Sequence, residues 1–388
     1  MSKKIAVIGL FAGAGGLEIG AHWAGADVRL AVDNDPIACE TLRCNPTYHS
    51  AGTVLKADVA TLDGKTLRKA AGLSRREPCI VIGGPPCQPF SKSSYWTDCG
   101  DDSRYRQAKR KGQAPPPKPK PIMEPKPDQR RSLVQELLRL IVETEAQGFL
   151  FENVVSITHP RNKKVLELFL DEAQAAKFQT LLVRANAVQY GVPQMRQRIV
   201  VLGLKHGKPA KPEPTHAEST EQASFSFLPP VTAGEALRPF EDECYFEPEE
   251  VVKGRYEKEL REIPPGMNYK ALTAWAGHPN PVFEAETRFW TFLLKLSPDL
   301  PSWTIQASPG PWVGPFHWTS RRLRTVELAA LQGFPESYRF AAKRRDRVRQ
   351  IGNAVPPLLA QRMIEPLVAA LAPTSCIGAA RHTGEERP

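Results

Sequence analysis

The fold of this chain is decided by the stretch Gly83-Gly84-Pro85-Pro86-Cys87-Gln88-Pro89-Phe90-Ser91. The four residues before it, Cys79-Ile80-Val81-Ile82, are apolar and mostly β-branched, as in a buried strand. Glycine and proline then force the chain out of the sheet along a fixed, non-helical path. The thiol of Cys87 is therefore predicted at the carboxyl end of a strand, where open α/β sheets bind their ligands. Taken alone, a Pro-Cys pair is more typical of a buried turn with an inert cysteine.

The sequence before this stretch has the rhythm of a βαβ unit. A strand over Ile5–Ile8 is followed by a glycine-rich loop, a helix from Leu17 to Trp23 and a second strand over Val28–Val32. This order predicts an α/β fold with a doubly wound, mostly parallel, Rossmann-like sheet. Further strands are predicted at Val54–Lys56, Phe149–Phe151, Gln179–Ala187 and Ile199–Leu204, the last two as a hairpin. Further helices are predicted at Pro36–Arg43, Lys65–Ala71, Leu133–Val142, Val165–Ala176, Val326–Gln332 and Pro356–Leu371.

Two segments lack the alternation of strand and helix patterns, and they divide the chain into predicted domains. Residues 94–128 are basic and proline-rich, with a polyproline-like run over 115–121, and predict a long insertion without regular structure. From Lys205 the sequence becomes irregular with scattered aromatic residues. We therefore predict a first domain over 1–204, a smaller irregular domain over 205–320, a segment 321–372 that returns to the first domain, and a disordered tail over 373–388.

Composition and charge fit a globular protein with an anionic partner. The chain is 41% hydrophobic and 24% charged, with a formal net charge of +10. Residues 104–131 carry ten Lys/Arg against two Asp/Glu, and residues 321–349 carry nine against three. Residues 205–320 carry eleven against sixteen. Two basic clusters suggest a polyanionic partner, and a solvated basic face is the alternative interpretation.

The seven cysteines form no C-x-x-C pair and no metal-ligand spacing, so we expect no metal site. An odd count without a disulfide framework is typical of a reducing, cytoplasmic setting. Lys3-Lys4 before an apolar run resembles a secretory signal, but four glycines within Gly9–Gly16 favour a retained strand and turn. Since no other segment approaches transmembrane length, we expect no membrane partner.

The loop Phe11-Ala12-Gly13-Ala14-Gly15-Gly16 has the composition of a cofactor-binding turn, because glycines let a ligand approach the backbone. It does not match the dinucleotide pattern G-x-G-x-x-G, since position 18 is Glu. Asp33 follows Gly13 by twenty residues, where a carboxylate can bind ribose hydroxyls. These features predict a nucleoside cofactor, and one without a pyrophosphate fits. A tight turn without a ligand is the alternative.

Three kinds of reactive side chain also follow predicted strand ends: Cys87, Glu152 and the pair Arg196 and Arg198. A thiolate nucleophile, a carboxyl group and guanidinium donors in one crevice suit attack on an electron-poor heterocycle. Individually, Glu152 could be a helix-start acid and Arg198 a surface charge.

Five ordered motifs together resemble those of the C5-cytosine DNA methyltransferases. They are Phe11–Gly16, Pro86-Cys87-Gln88, Glu152-Asn153-Val154, Gln194-x-Arg196-x-Arg198 and Gly352-Asn353-Ala354-Val355-Pro356. Their order and spacing hold from residue 5 to about 370, over nearly the whole chain. One motif alone is modest evidence, whereas five in sequence are specific.

The resemblance implies a methyl transfer from S-adenosylmethionine to a cytosine flipped out of duplex DNA. Cys87 would add to C6 of the ring, and Glu152 would bind N3 and the exocyclic amine. Arg198, with Arg196 as its candidate helper, would hold O2. Flipping is needed because C6 is shielded within the base stack.

The resemblance also implies which residues bind cofactor and DNA. Phe11 and the loop glycines Gly13, Gly15 and Gly16 would line the cofactor pocket. Asp33 would bind the ribose, Asp58 with the adjacent Val59 the adenine, and Pro86 and Asn353 would complete the site. Asn34 stands where the family usually has an apolar side chain against the adenine. Gln88, Ser91 and Ser93 would contact DNA, and Thr304 in residues 205–320 would belong to a target-recognition domain.

These inferences predict a cytoplasmic, monomeric DNA (cytosine-5)-methyltransferase of the prokaryotic kind that acts on double-stranded DNA. We expect it to be the modification enzyme of a restriction system, with a cognate restriction endonuclease that acts on the same site. A tRNA-directed enzyme of the same family is the nearest alternative. A nucleotide-dependent oxidoreductase and a non-catalytic DNA-binding protein are alternatives from other classes. The insertion over 104–127 is predicted to bind the DNA backbone, with an idle solvated loop as its alternative.

Overall fold

The computed structural model of the chain describes residues 4–48, 53–91, 101–117, 124, 125 and 127–372. Its strands are β1 (Ala6–Leu10), β2 (Asp27–Asp33), β3 (Thr53–Lys56), β4 (Cys79–Gly83), β5 (Gly148–Val154), β6 (Gln179–Asn186), β7 (Gln194–Met195), β8 (Gln197–Leu204) and β9 (Ser302–Trp303). Its α-helices are α1 (Gly16–Trp23), α2 (Pro36–Arg43), α3 (Gly64–Ala70), α4 (Asp101–Arg110), α5 (Leu133–Glu143), α6 (Lys163–Ala175), α7 (Ala233–Leu237), α8 (Glu257–Glu262), α9 (Thr325–Gln332), α10 (Arg344–Asn353) and α11 (Pro357–Leu371).

Seven of the strands form one sheet in the order β3-β2-β1-β4-β5-β8-β6. The pairs from β3 to β5 are parallel, whereas β8 runs antiparallel to both of its neighbours, β5 and β6. This arrangement confirms the predicted α/β fold and the predicted hairpin. Chain order reverses between β1 and β4, and such a switch point opens a crevice at the carboxyl ends of the strands.

Each strand sends alternate side chains to opposite faces of the sheet, and helices cover both faces. On one face, Ile8 and Val81 belong to the core that α5 and α6 cover. On the other face, Val7 and Ile80 belong to the core that α1 and α11 cover. Burial on both faces explains why these strands are continuous apolar runs in the sequence.

Residues 205–320 contain little regular structure and have an aromatic core of their own. Tyr269, Phe283 and Phe316 are buried there, and ring centroids of Tyr269 and Phe283 lie 6.0 Å apart. A second cluster joins this region to α9 and α10, because Leu237 packs with Leu331 and Ile351. The C-terminal part of the chain joins the sheet core at Val355 and along α11.

Four of the described α-helices were not predicted from the sequence: α4, the short α7 and α8, and α10. The insertion was expected to lack regular structure, but α4 occupies Asp101–Arg110. No proline or glycine interrupts those ten residues, and Lys109 and Arg110 in the last turn favour a helix through its dipole. Helix α10 is rich in arginine, which has a high helix propensity. Residues 92–100, 118–123, 126 and the predicted tail 373–388 lie outside the described residues.

Within the described part of the chain, no helix combines the length and the apolar character that a membrane crossing requires. The longest, α11, has 15 residues.

Gly20 of α1 makes the contact between α1 and α11 possible. A Cβ placed on Gly20 would lie 2.4 Å from Ala360 Cβ and 2.6 Å from the backbone nitrogen of Gln361. Helix propensity alone predicts that Gly20→Ala stabilises the protein by about 1 kcal/mol. Overpacking of a close helix contact costs about 1–3 kcal/mol. We therefore expect Gly20→Ala to lower the free energy of unfolding, measured by urea denaturation, and an increase would contradict this packing.

Candidate active site

A cleft of about 1030 Å³ lies at the carboxyl edge of the sheet, at the switch point between β1 and β4. Its walls come from the glycine loop after β1, the end of β2, the loop after β4, the end of β5, the start of β8 and the end of α10. The predicted site residues that line it are Phe11, Gly13, Gly16, Asp33, Asn34, Pro86, Cys87, Gln88, Glu152, Arg198 and Asn353. The fold thus gathers residues that lie up to 342 positions apart in sequence, from Phe11 to Asn353.

The loop that carries Cys87 is fastened by residues in and after β5. Asn153 Nδ2 donates to the carbonyl oxygen of Pro85 at 3.1 Å, and Ser156 Oγ donates to that of Phe90 at 2.6 Å. The Phe90 side chain is fully buried in the sheet core. Backbone on both sides of the cysteine is therefore held, and the thiol keeps its place on the wall of the cleft.

The electrostatics of the cleft keep Cys87 protonated in the free protein. Burial raises the pKa of the thiol above its ordinary value of 9.0. The Arg198 cation lowers this pKa, and the Glu152 carboxylate raises it. Because the pKa lies above neutral pH, most molecules hold a thiol, and the nucleophile forms when a proton leaves.

Glu152 and Arg198 form an ion pair inside the cleft. Arg198 Nε lies 2.9 Å from Glu152 Oε1, and about a tenth of each side chain is exposed. Register places Val154 of β5 opposite Arg198 of β8, so the two groups meet at the same edge of the sheet. Burial raises the pKa of Glu152 and the arginines oppose the rise. Glu152 is therefore easier to protonate than a solvated glutamate.

Arg196 has a different environment from Arg198. Its side chain is buried outside the cleft, and Nη2 donates to the carbonyl oxygens of Gly352 at 2.9 Å and Ala354 at 3.0 Å. Nη1 approaches the carbonyl oxygen of Ile305 at 3.4 Å. The expectation that Arg196 helps Arg198 to hold a substrate is not supported by these contacts. Arg196 instead joins β7–β8 to the C-terminal segment.

The glycine loop is shaped by Asp33 and by the C-terminal segment. Asp33 accepts hydrogen bonds from the backbone nitrogens of Gly13 and Asp35, both at 2.8 Å. Burial raises the pKa of Asp33, and these hydrogen bonds counteract the rise. A Cβ at Gly16 would lie 2.0 Å from the carbonyl oxygen of Val355. Gly16 therefore permits the approach of the C-terminal segment as well as lining the cleft.

Three predicted cofactor residues do not line the cleft. Gly15 caps α1 with a left-handed φ of 81°. The exposed Asp58 accepts a hydrogen bond from the backbone nitrogen of Ala60 at 3.0 Å, and Val59 is buried in the sheet core. The adenine contact expected of Asp58 and Val59 stays a prediction.

The predicted DNA contacts are spread over two parts of the protein. Gln88 lines the cleft beside Cys87, and Ser91 is half-buried three residues further on. Ser93 lies outside the described residues. Thr304 is exposed after β9, and its hydroxyl donates to the carbonyl oxygen of Met195 at 2.6 Å. Pairing of β7 with β9 thus attaches the 205–320 region to the strand that precedes Arg198.

The structure adds residues to the cleft that the sequence did not indicate. Arg349 and Asp35 both line it, and Arg349 Nη2 lies 2.9 Å from Asp35 Oδ2. Arg349 and Asn353 are four residues apart on α10, which places them on the same helix face. That spacing would have indicated Arg349 if α10 had been predicted.

Glu18 lies beneath the glycine loop, fully buried. Neither carboxylate oxygen has a hydrogen-bond partner among the described residues, and burial raises the pKa to about 8. A Cβ at Gly9 would lie 2.0 Å from Glu18 Oε1, so the carboxyl group packs directly against β1. The residue that breaks the dinucleotide pattern is thus a mostly neutral core group at pH 7.

Comparison with known proteins gives a consistent result. Residues 5–106 and 123–369 match the family model for C-5 cytosine-specific DNA methylase. The Type II methyltransferase M.SacI of Streptomyces achromogenes is 34% identical over 397 aligned residues, covering 96% of this chain and 94% of the relative. The Type II methyltransferase M1.HphI of Haemophilus parahaemolyticus is 30% identical and covers 94% and 87%. A prophage-encoded DNA modification methyltransferase of E. coli has the same fold, with a TM-score of 0.59, 23% identity and coverage of 94% and 99%.

The charges around Cys87 predict how the thiol reacts. Because its pKa is raised, iodoacetamide modification of Cys87 should accelerate about tenfold per pH unit from pH 7 to 8.5 without a plateau. At fixed pH, Glu152→Gln should accelerate the reaction, since that carboxylate raises the pKa, and Arg198→Gln should slow it. Mass spectrometry of the Cys87 peptide separates it from the exposed Cys44 and Cys244. Equal rates in both variants would contradict this assignment of charges.

Proposed function

This chain belongs to the C-5 cytosine-specific DNA methylase family and is a DNA cytosine-5 methyltransferase of the Type II restriction–modification kind, and we propose how its residues perform the reaction. The observation that carries the proposal is that Cys87, Glu152 and Arg198 line one cleft, with the last two 2.9 Å apart. A nucleophile, a carboxyl group and a cation then surround a single bound ring.

We assign the nucleophile to Cys87. After its proton leaves, Cys87 Sγ forms a bond to C6 of the target cytosine, and the electron pair of the C5–C6 double bond moves into the ring. C5 would become electron-rich and would bond to the methyl carbon, whose bond to the sulfonium sulfur would break and leave a neutral thioether. Loss of the proton from C5 then restores the double bond and expels Cys87 as a thiolate.

Glu152 and Arg198 would stabilise the charge that develops on the ring. A protonated Glu152 can donate a hydrogen bond to N3, and burial favours that protonated form. Arg198 would donate to O2, from the other side of the same pair. Because about nine-tenths of each side chain is buried, such contacts are stronger than in solution.

The cleft fits S-adenosylmethionine as cofactor. The backbone of the glycine loop is open to a ligand, and the Asp33 carboxylate, which accepts two backbone hydrogen bonds, keeps further lone pairs for ribose hydroxyls. Phe11, Pro86 and Asn353 would hold the remaining parts. When bound, the cofactor supplies an electrophilic methyl group on a sulfonium.

The position of Cys87 within the cleft supports the proposal that the substrate base leaves the duplex. Cys87 lies on the wall of a cleft rather than on a protruding surface, so it cannot reach C6 inside a base stack. We therefore propose base flipping, with Gln88, Ser91 and Ser93 contacting the DNA around the vacated position.

Residues 205–320 would read the DNA sequence as a target-recognition domain, while 1–204 and 321–372 would carry the cofactor and the chemistry. We propose that the enzyme acts as a monomer on double-stranded DNA in the cytoplasm. A cognate restriction endonuclease would act on the same site. Methylation assays on duplex DNA and on tRNA, side by side, test the tRNA-directed alternative.

We expect Cys87→Ser to abolish methyl transfer while leaving cofactor and DNA binding intact, because a hydroxyl is a far weaker nucleophile of nearly the same size. Duplex DNA with 5-fluorocytosine at the target should trap the wild-type enzyme covalently, since fluorine blocks the final elimination. Denaturing gels report the adduct, and Cys87→Ser is the matched control. A wild-type enzyme that methylates ordinary DNA but forms no adduct would overturn the mechanism.

We also expect residues 205–320 to set the target sequence, because the residues assigned to the chemistry lie outside them. Replacing this segment by the corresponding segment of the Streptomyces achromogenes relative should move methylation to that relative's site. Bisulfite sequencing of host DNA gives the result. An active chimaera that still methylates the original site would show that the assignment is incorrect.

A further inference from the structure

A second cleft, of about 1290 Å³, lies between the insertion helix α4 and the 205–320 region. Arg110 at the end of α4 forms one wall, and Arg255, Tyr256, Trp275 and Arg288 contribute to the others. This arginine cleft is separate from the active-site cleft, with which it shares no lining residue.

Positive charge dominates the arginine cleft. Its lining includes three arginines, Arg110, Arg255 and Arg288, against one acidic residue, Glu284. Burial lowers the pKa of Arg110, and the neighbouring Arg288 cation lowers it further. The guanidinium groups therefore repel one another, and an anion between them would relieve that repulsion.

One guanidinium is held in place without its full set of hydrogen bonds. Arg288 lies over the ring of Phe292 at 5.4 Å, and its Nη1 is buried without a hydrogen-bond partner among the described residues. Arg255 lies in the same way over Tyr256, at 5.1 Å. Stacking of this kind fixes the plane of a guanidinium and leaves its edge for an oxyanion.

Contacts of α4 with the 205–320 region keep the arginine cleft assembled. Arg106 lies 4.4 Å over the ring of Phe289, and Lys109 Nζ lies 3.8 Å from Glu286 Oε2. The same helix begins fourteen residues after Cys87. The arginine cleft is therefore joined through a short length of chain to the segment that carries the nucleophile.

We propose that the arginine cleft binds a backbone phosphate of the DNA substrate beside the target site. This proposal rests on the proposed function. A planar guanidinium group can donate two parallel hydrogen bonds to the oxygens of one phosphate. Duplex DNA carries such a phosphate at every nucleotide. Arg110 falls within 107–122, which the family model leaves unmatched, whereas Arg255 and Arg288 lie in the matched part.

The test compares the salt dependence of DNA binding in four proteins: wild type, Arg110→Gln, Arg255→Gln and the double variant. Loss of this one phosphate contact should flatten the slope of log affinity against log salt by about 0.9 in the double variant, and each single variant should show part of that change. Target preference and the turnover rate at saturating DNA should not change, because backbone contacts carry no direct sequence information. Arg288 stays unchanged, because it is half-buried, whereas Arg110 and Arg255 are exposed and can be replaced with less effect on packing.

Arg261→Gln is the matched control, because Arg261 lies in the same region, is exposed and pairs with Glu257 at 2.8 Å. It should leave the slope at the wild-type value. Arg110→Lys and Arg255→Lys keep the charge and should keep most of the slope, which separates a phosphate contact from a loss of folding. Slopes for the two Gln variants that equal the control's would overturn the proposal. Absence of cytosine methylation by the wild type would instead remove the proposed function.

Discussion

The ion pair between Glu152 and Arg198 depends on the direction of a single strand. Because β8 runs antiparallel to β5, its first residues lie at the same edge of the sheet as the last residues of β5. A parallel β8 would place Arg198 at the opposite edge, far from Glu152 and Cys87. The reversal therefore brings a cation to the carboxyl edge, where it sets the charge around both the carboxyl group and the thiol.

Holding that edge together requires contact between the two ends of the chain. Tyr338 Oη donates to the carbonyl oxygen of Ala14 at 2.6 Å, and the carbonyl of Val355 lies against Gly16. Arg196 donates to the carbonyls of Gly352 and Ala354, and such buried groups cost about 1–3 kcal/mol each when left unpaired. Three segments therefore contact one another at the cleft: the N-terminal glycine loop, the central strands and the C-terminal segment.

The net charge of a sequence segment also differs from the charge that the folded segment presents, because contacts between distant residues form ion pairs. The basic segment 321–349 suggests a polyanion site, yet Arg324 pairs with Glu250 at 2.5 Å and Arg344 pairs with Glu247 at 2.9 Å. These pairs neutralise part of that basic segment and part of the acidic run in 205–320 at once. The arginines of the cleft beside α4, by contrast, have one carboxylate among them. Net charge of a segment therefore says little until its partners are known.

The sequence by itself determined the α/β class and most strands and helices of the sheet domain, and it indicated the residues proposed to carry the chemistry, because these depend on local patterns. Apolar β-branched runs indicate strands, and glycine and proline indicate the loops where those strands end. Reactive side chains follow the strand ends. Tertiary structure alone decided that Arg198 enters the cleft while Arg196, two residues earlier, binds backbone carbonyls outside it. It also brought Arg349 to Asp35 across 314 residues and placed α4 against Phe289. Such contacts depend on strand direction and long-range packing, for which no local pattern exists.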